Sequence, residues 1–278
     1  MHSGHVAHRD LVYGHAEGTD LTLDLYLPQN PIRSVPIILY IHGGGWRALD
    51  RRWCPYPMRF LDLEYAVASI DYRLVPQATF PAQLHDCKAA VRWLRAHANE
   101  YGVLGDRIGA WGDSAGGHLA AMLGVTGDRP DLEGESGTPG VPSRVQAVCD
   151  WYGVADLTRM AVDPDDPESF VAQFIGGPPS QHPEAARAAS PVSYASADAA
   201  PFFIMHGDVD REVPLSQSVA LYEALWQAGA DVRLHVVHGG AHLSYLRRPT
   251  DIPWQTQEVR QMVEAFFWRH LMCDPPTS

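Results

Sequence analysis

A serine set among glycines invites nucleophilic chemistry. In the run WGDSAGG, residues 111–117, Ser114 stands between Gly112 and Gly116, and the preceding RIGAWG reads as a buried strand. The pattern G-x-S-x-G between a strand and a helix is that of a nucleophile elbow. Small residues two before and two after the serine let strand, turn and helix approach, and the helix N-terminus points free N–H groups toward the hydroxyl. A hydroxyl becomes a nucleophile only with a base beside it, and the base needs an orienting acid. HGDVDREVP, residues 206–214, offers Asp208 and Asp210. HGGAHLSY, residues 238–245, offers His238 and His242. His238 ends an apolar run, where a satisfied polar group is expected. His242 lies past a two-glycine turn, on a loop able to bring its ring over the serine.

Attack on a carbonyl also needs donors for the developing oxyanion. HGGGW, residues 42–46, follows the most apolar run of the chain, and its glycines let the backbone come close enough to donate. Gly44, Gly45 and Ala115 are the candidate N–H donors. Trp46 is placed to wall the acyl side, and Trp151 and Tyr152, after another apolar run, are candidates to face the site. Asp113, inside the elbow, reads as a hydrogen-bond partner without a catalytic role.

The chain must position these residues on a scaffold. LTLDLYLP alternates, with Leu21, Leu23, Leu25 and Leu27 on one face, as a half-exposed strand near a sheet edge does. VPIILYIH is continuously apolar, as buried parallel strands are. YAVASIDY, RIGAWG, VQAVCDWYG, FFIMHG and VRLHVVHG follow, with helical periodicity at 81–97, 115–125, 216–228 and 255–272. Strands alternating with helices predict a mostly parallel sheet with helices on its faces. The acid- and proline-rich span 156–200 is longer than an ordinary crossover and predicts a lid-like insertion, with one short helix around Phe170. The loop 127–143 reads as mobile surface and the tail 274–278 as frayed. No internal repeat or linker divides the chain, so 1–278 reads as one domain.

Composition narrows the function classes. The 278 residues are 46% hydrophobic and 19% charged, a globular balance, with net charge −12. That sign disfavours nucleic acid and anionic membrane surfaces. No run of eighteen apolar residues predicts a membrane span, and the N-terminus lacks the apolar core of a secretory signal, so the expected location is cytoplasmic. Cys54, Cys87, Cys149 and Cys273 form no CxxC pair and read as reduced thiols. His2, His5, His8 and His15 cluster at a predicted flexible end without acidic or thiol partners, so neither metal nor cofactor is implied.

Together these motifs are specific. Ser…Asp…His is the chain order of α/β-hydrolases. The runs LDLYLP, HGGGW, DYRL, FPAQLHD, GDSAGGHLA, ASPVSY and HGDVDREVP resemble the carboxylesterases of the BD-FAE-like group, which includes feruloyl and acetyl-xylan esterases, and more distantly the hormone-sensitive-lipase group. The likeness covers roughly 10–271. It implies an α/β-hydrolase fold with an eight-stranded sheet, and hydrolysis of short-acyl or aromatic esters through an acyl-enzyme, without a cofactor. In that family HGxxDxxVP places the acid at its second Asp, which is Asp210 here, and the histidine matches His242. The oxyanion donors match Gly44, Gly45 and Ala115. The chain departs at Ala241, where many relatives carry glycine. Two other readings stand beside this one: an arylformamidase or other amidase-type hydrolase, and a non-catalytic ligand binder on a hydrolase scaffold. Sheets of this type also pair through an edge strand or terminal helix, which leaves a homodimer open.

Overall fold

A computed structural model describes residues 4–160, 165–242 and 253–273. His2, residues 161–164 of the expected insertion, residues 243–245 of the histidine motif and the expected frayed tail 274–278 lie outside these. Eight strands form one sheet: β1 (His5–Ala16), β2 (Thr19–Pro28), β3 (Val35–Ile41), β4 (Ala66–Ile70), β5 (Val103–Asp113), β6 (Ala147–Trp151), β7 (Phe202–Gly207) and β8 (Val232–Val237). Their spatial order is β1-β2-β4-β3-β5-β6-β7-β8. Pairing is antiparallel from β1 through β2 to β4, and parallel from β4 onward.

The N-terminal edge differs from the expectation of a flexible end. Residues 5–16 are a strand in register with β2, so β2 lies one position in from the edge. The run HVAHRDLVYGHA has no apolar alternation, and most of its side chains are exposed, so it carries no period to read. Its backbone pairing supplies the order instead.

Seven helices accompany the strands: α1 (Ala82–Ala96), α2 (Ala98–Tyr101), α3 (Ala115–Val125), α4 (Phe170–Ile175), α5 (Pro183–Ala188), α6 (Ser216–Gln227) and α7 (Gln257–Phe267), among the described residues. Strand alternation sorts the core into two layers. Ile37, Leu39 and Ile41 of β3 face α1, α3 and α6, in a core with Leu84, Leu119 and Leu221. Ile38 and Tyr40 face the other way, toward Val259, Val263, Phe266 and Phe267 of α7. The predicted 255–272 helix begins at Gln257, because the Thr256 hydroxyl accepts the Val259 N–H as an N-cap. It closes in one π-helical turn, Trp268–Met272.

Among its described residues the span 156–200 carries two short helices rather than one, with 3-10 turns at Leu157–Arg159 and Pro191–Tyr194. Its described residues pack as part of the body. Phe174 of α4 and Ala186 of α5 are fully buried in the α1–α3 layer. No helix among the described residues is long and apolar enough to cross a membrane. All four cysteines are free.

Candidate active site

Ser114 sits at the junction of β5 and α3 with φ 54° and ψ −120°, a strained conformation for a residue with a side chain. The flanking glycines explain how the turn closes. A Cβ on Gly112 would meet the Gly116 carbonyl carbon and oxygen at 2.2 Å, and one on Gly116 would meet the Ile41 carbonyl oxygen at 2.0 Å. The Ser114 N–H donates to the Trp151 carbonyl at 2.9 Å, tying the elbow to the end of β6. The hydroxyl therefore projects above the carboxyl ends of the parallel strands, where open α/β sheets place their ligands.

Asp210 and His242 arrive on the loops after β7 and β8. The two loops meet backbone on backbone: a Cβ on Gly207 would lie 2.0 Å from the Gly240 carbonyl oxygen. The Val209 N–H donates to that same carbonyl at 3.1 Å. Asp210 Oδ1 accepts the N–H groups of Glu212 and Val213 at 2.9 and 3.0 Å. Its Oδ2 accepts from His242 Nδ1 at 2.7 Å, and His242 Nε2 accepts from the Ser114 hydroxyl at 2.9 Å. Burial pushes the Asp210 carboxyl upward, but hydrogen bonds from His206 and His242 outweigh it and hold the group well below the usual carboxylate range. The alternative acid has another task. Asp208 bonds the exposed His238 ring at 2.7 Å and the Gly239 N–H at 2.7 Å, shaping the turn after β8.

A cavity of about 480 Å³ opens in front of Ser114. Gly44, Gly45, Ala115 and His242 line it, as do Trp46 and Tyr152. Among the described residues the N–H groups of Gly44, Gly45 and Ala115 have no acceptor, so they remain available to a ligand. The loop that carries two of them is held by the DYRL run and the residue after it: the Tyr72 hydroxyl donates to the His42 carbonyl at 2.9 Å, and the Val75 N–H donates to the Trp46 carbonyl at 2.9 Å. The His42 ring stacks on Tyr72 at 4.4 Å. The Trp46 ring is fully buried, stacked 4.1 Å from Phe174. The Tyr152 ring meets His242 edge-on at 4.8 Å.

Trp151 does not face this cavity. Alternation along β6 sends its ring to the α7 layer with Trp111 and Trp254, so only its carbonyl reaches the elbow. Asp113 lines the cavity, accepts the Tyr40 hydroxyl at 2.6 Å, and is pushed up to about 6 by burial. Several lining residues were not among the sequence candidates: Arg47, Leu49, Trp53, Val154, Phe170, Glu212 and Val213. Phe170 comes from the insertion, and Glu212 lies 3.6 Å from His242 Nε2. Proximity to HGGGW was the available signal for Arg47 and Leu49, and membership of HGDVDREVP that for Glu212 and Val213. No group of three or more His, Cys, Asp or Glu among the described residues is arranged to hold a metal ion.

Comparisons with known proteins give consistent matches. The BD-FAE family model matches residues 23–225. Esterase LipQ of Mycobacterium tuberculosis is 34% identical over 241 residues, which cover 85% of this chain and 56% of LipQ. The chain thus spans about half the length of that relative. A solved truncated carbohydrate esterase from gut microbiota superposes with a TM-score of 0.87 at 30% identity, covering 96% of this chain and 97% of the other. Esterase 2 of Thermogutta terrifontis, solved phosphorylated by paraoxon, has a TM-score of 0.75 at 26% identity and covers 97% of this chain and 96% of its own.

Proposed function

Because this chain belongs to the BD-FAE family, we propose that it is a serine carboxylic ester hydrolase acting through an acyl-enzyme on Ser114. One observation carries the reading: the unbroken hydrogen-bonded line Asp210–His242–Ser114, ending beside three N–H groups that have no acceptor among the described residues. A hydroxyl so placed can transfer its proton to His242 Nε2 as its oxygen attacks the ester carbonyl. Asp210 fixes the tautomer with the proton on Nδ1 and stabilises the imidazolium that forms. The N–H groups of Gly44, Gly45 and Ala115 receive the oxyanion. His242 then gives its proton to the departing alkoxide, the C–O bond breaks, and the acyl group stays on Ser114. Water repeats the sequence, with His242 as base, and releases the carboxylic acid.

The same geometry favours a short-acyl or aromatic ester, including acetyl or feruloyl esters of plant polysaccharide. Trp46, stacked on Phe174 and flanked by Phe170, lines one side of the cavity with rigid rings, which favours a short or flat acyl group. Leu49 and Trp53 are partly exposed at its mouth, apolar surface that a larger alcohol group can cover. The carbohydrate esterase among the structural relatives supports a sugar-linked substrate.

The test is a set of initial rates on p-nitrophenyl acetate, butyrate, octanoate and laurate, on methyl ferulate, and on N-formylkynurenine. The expected order of kcat/KM puts the acetyl, butyryl or feruloyl ester first. Highest efficiency on laurate contradicts the short or aromatic acyl assignment, and highest efficiency on N-formylkynurenine makes the chain an amidase-type hydrolase.

A further inference from the structure

We propose that His118 is a positioning residue that locks Trp46, and with it the Gly44–Gly45 turn, to the helix that starts at the nucleophile. The proposal rests on the catalytic reading of Ser114 and the glycine turn given above. His118 lies one turn into α3, and its own N–H donates to the Ser114 carbonyl at 3.0 Å. Its ring is fully buried and makes two hydrogen bonds in opposite directions. The Trp46 Nε1–H donates to His118 Nδ1 at 3.2 Å, and His118 Nε2 donates to the Ala189 carbonyl at 2.7 Å. An indole has only a donor and a carbonyl only an acceptor, so the bonding partners themselves fix the imidazole as the neutral tautomer protonated on Nε2. Burial among aromatic rings agrees with this, pushing the group down to about 4. Trp46 and Phe174 both meet the ring edge-on, at 5.0 and 5.3 Å.

One side chain therefore ties three pieces of chain: the start of α3, the loop after β3, and the segment after α5. The loop needs such a tie. Trp46 has φ +57°, in the left-handed region that a bulky side chain disfavours, and it immediately follows the two glycines whose N–H groups face the cavity. A strained residue persists only when its surroundings over-determine it. Here the surroundings are the Phe174 stack on one side of the indole, the His118 bond at its nitrogen, and the Val75 N–H on its carbonyl. Of these, only the His118 bond connects the oxyanion turn directly to the element that bears Ser114. Beside the backbone contact of Gly116 with the Ile41 carbonyl, it thus helps set the distance between the nucleophile and the donors, the quantity on which oxyanion stabilisation depends.

The prediction separates positioning from mere filling of space. His118→Leu keeps the volume and removes both bonds. His118→Gln supplies an acceptor and a donor on one flat amide and restores them. Trp46→Phe removes the same bond from the other end while keeping a ring against Phe174. With p-nitrophenyl acetate, kcat of His118→Leu is expected to fall roughly 10- to 100-fold with KM changed less than about 3-fold, the scale of a small misplacement of catalytic groups. His118→Gln recovers most of that loss. Trp46→Phe lowers kcat in the same way, and the double variant Trp46→Phe/His118→Leu falls no further than the worse single variant, because both remove one shared contact. Each variant is also titrated to completion with paraoxon and its melting temperature recorded.

Full labelling of His118→Leu with reduced kcat supports the proposal. Wild-type kcat in His118→Leu, a Gln variant as slow as the Leu variant, or multiplicative losses in the double variant overturn it. Should His118→Leu fail to fold, the contrast between Trp46→Phe and His118→Gln decides alone: a slow Phe variant and a near-wild-type Gln variant support the tie, and the reverse overturns it. Absence of paraoxon labelling in the wild type would instead strike the serine-nucleophile reading itself.

Discussion

Two buried carboxylates flank the site, and they behave in opposite ways. Asp113, beside Ser114 at the end of β5, is pushed up to about 6 by burial, with the Tyr40 hydroxyl and backbone N–H groups only partly offsetting it. Asp210, on the loop after β7, is also buried, yet it lies well below the usual carboxylate range. The difference is in the donors. Asp210 collects two backbone N–H groups and the His242 ring, with His206 Nε2 3.5 Å away. Desolvation thus does not set the charge of a buried acid by itself; the count of donors around it does. Asp210 is built to stay charged and to hold the His242 ring, as the proposed orienter of the base requires. Asp113 is built to pack under the glycine turn, where a Cβ on Gly43 would lie 2.8 Å from its carboxylate.

Substitutions should separate these regions, starting at Ser114, the proposed nucleophile that both adjoin. Ser114→Ala is expected to lower kcat by about 10⁶-fold on p-nitrophenyl acetate while leaving the fold intact, the scale seen when a triad nucleophile is removed. Asp210→Asn is expected to lower kcat by about 10⁴-fold, because the wrong tautomer of His242 is then favoured. A loss of less than tenfold would mean that Asp210 does not orient the base. Tyr72→Phe frees the His42 carbonyl and is expected to cost about 1 kcal/mol of stability by urea titration, with a severalfold lower kcat. Asp208→Asn, which breaks only the bond to an exposed His238, should leave kcat within about twofold and shift stability by less than about 1 kcal/mol.

The pH dependence sharpens the contrast further. The native pKa of Asp113 is raised, so its contribution to stability is fully present below about 3.9 and is lost as pH rises through about 6. Asp113→Asn should therefore gain stability relative to the wild type on going from pH 4 to pH 8, by about 1–3 kcal/mol. The native pKa of Asp210 is lowered, so its contribution is present above about 3.9 and is lost as pH falls through the native value. Asp210→Asn should thus lose its disadvantage in acid. Urea midpoints of both variants across pH 3–8 test this, and slopes of the same sign would remove the distinction between the two acids.

Motif geometry was readable in the sequence where one residue type has one steric use. Gly112 and Gly116 flank a turn that admits no Cβ, and the central strand β3 is a continuous apolar run. The choice between Asp208 and Asp210 needed the family resemblance, because both follow the same strand on a short polar loop. Trp46 and Trp151 mark the limit. Each follows an apolar run near a glycine, yet one lines the cavity and the other lies across the sheet. Counting in twos along β6 places Asp150 toward α3 and Trp151 away from it, a rule that needs the strand's orientation as well as its existence. β1 was missed for a different reason: an edge strand ordered by backbone pairing needs no hydrophobic period.

The central claim is that the Ser114 hydroxyl is the group that becomes covalently attached during turnover. Intact-protein mass spectrometry after exposure to paraoxon, on the wild type and on Ser114→Ala side by side, tests it most directly. One diethylphosphoryl group per wild-type chain, located on the peptide that contains Ser114 and missing from the variant, is the predicted result. Equal labelling of both chains, or an unlabelled wild type that still hydrolyses esters, would contradict it.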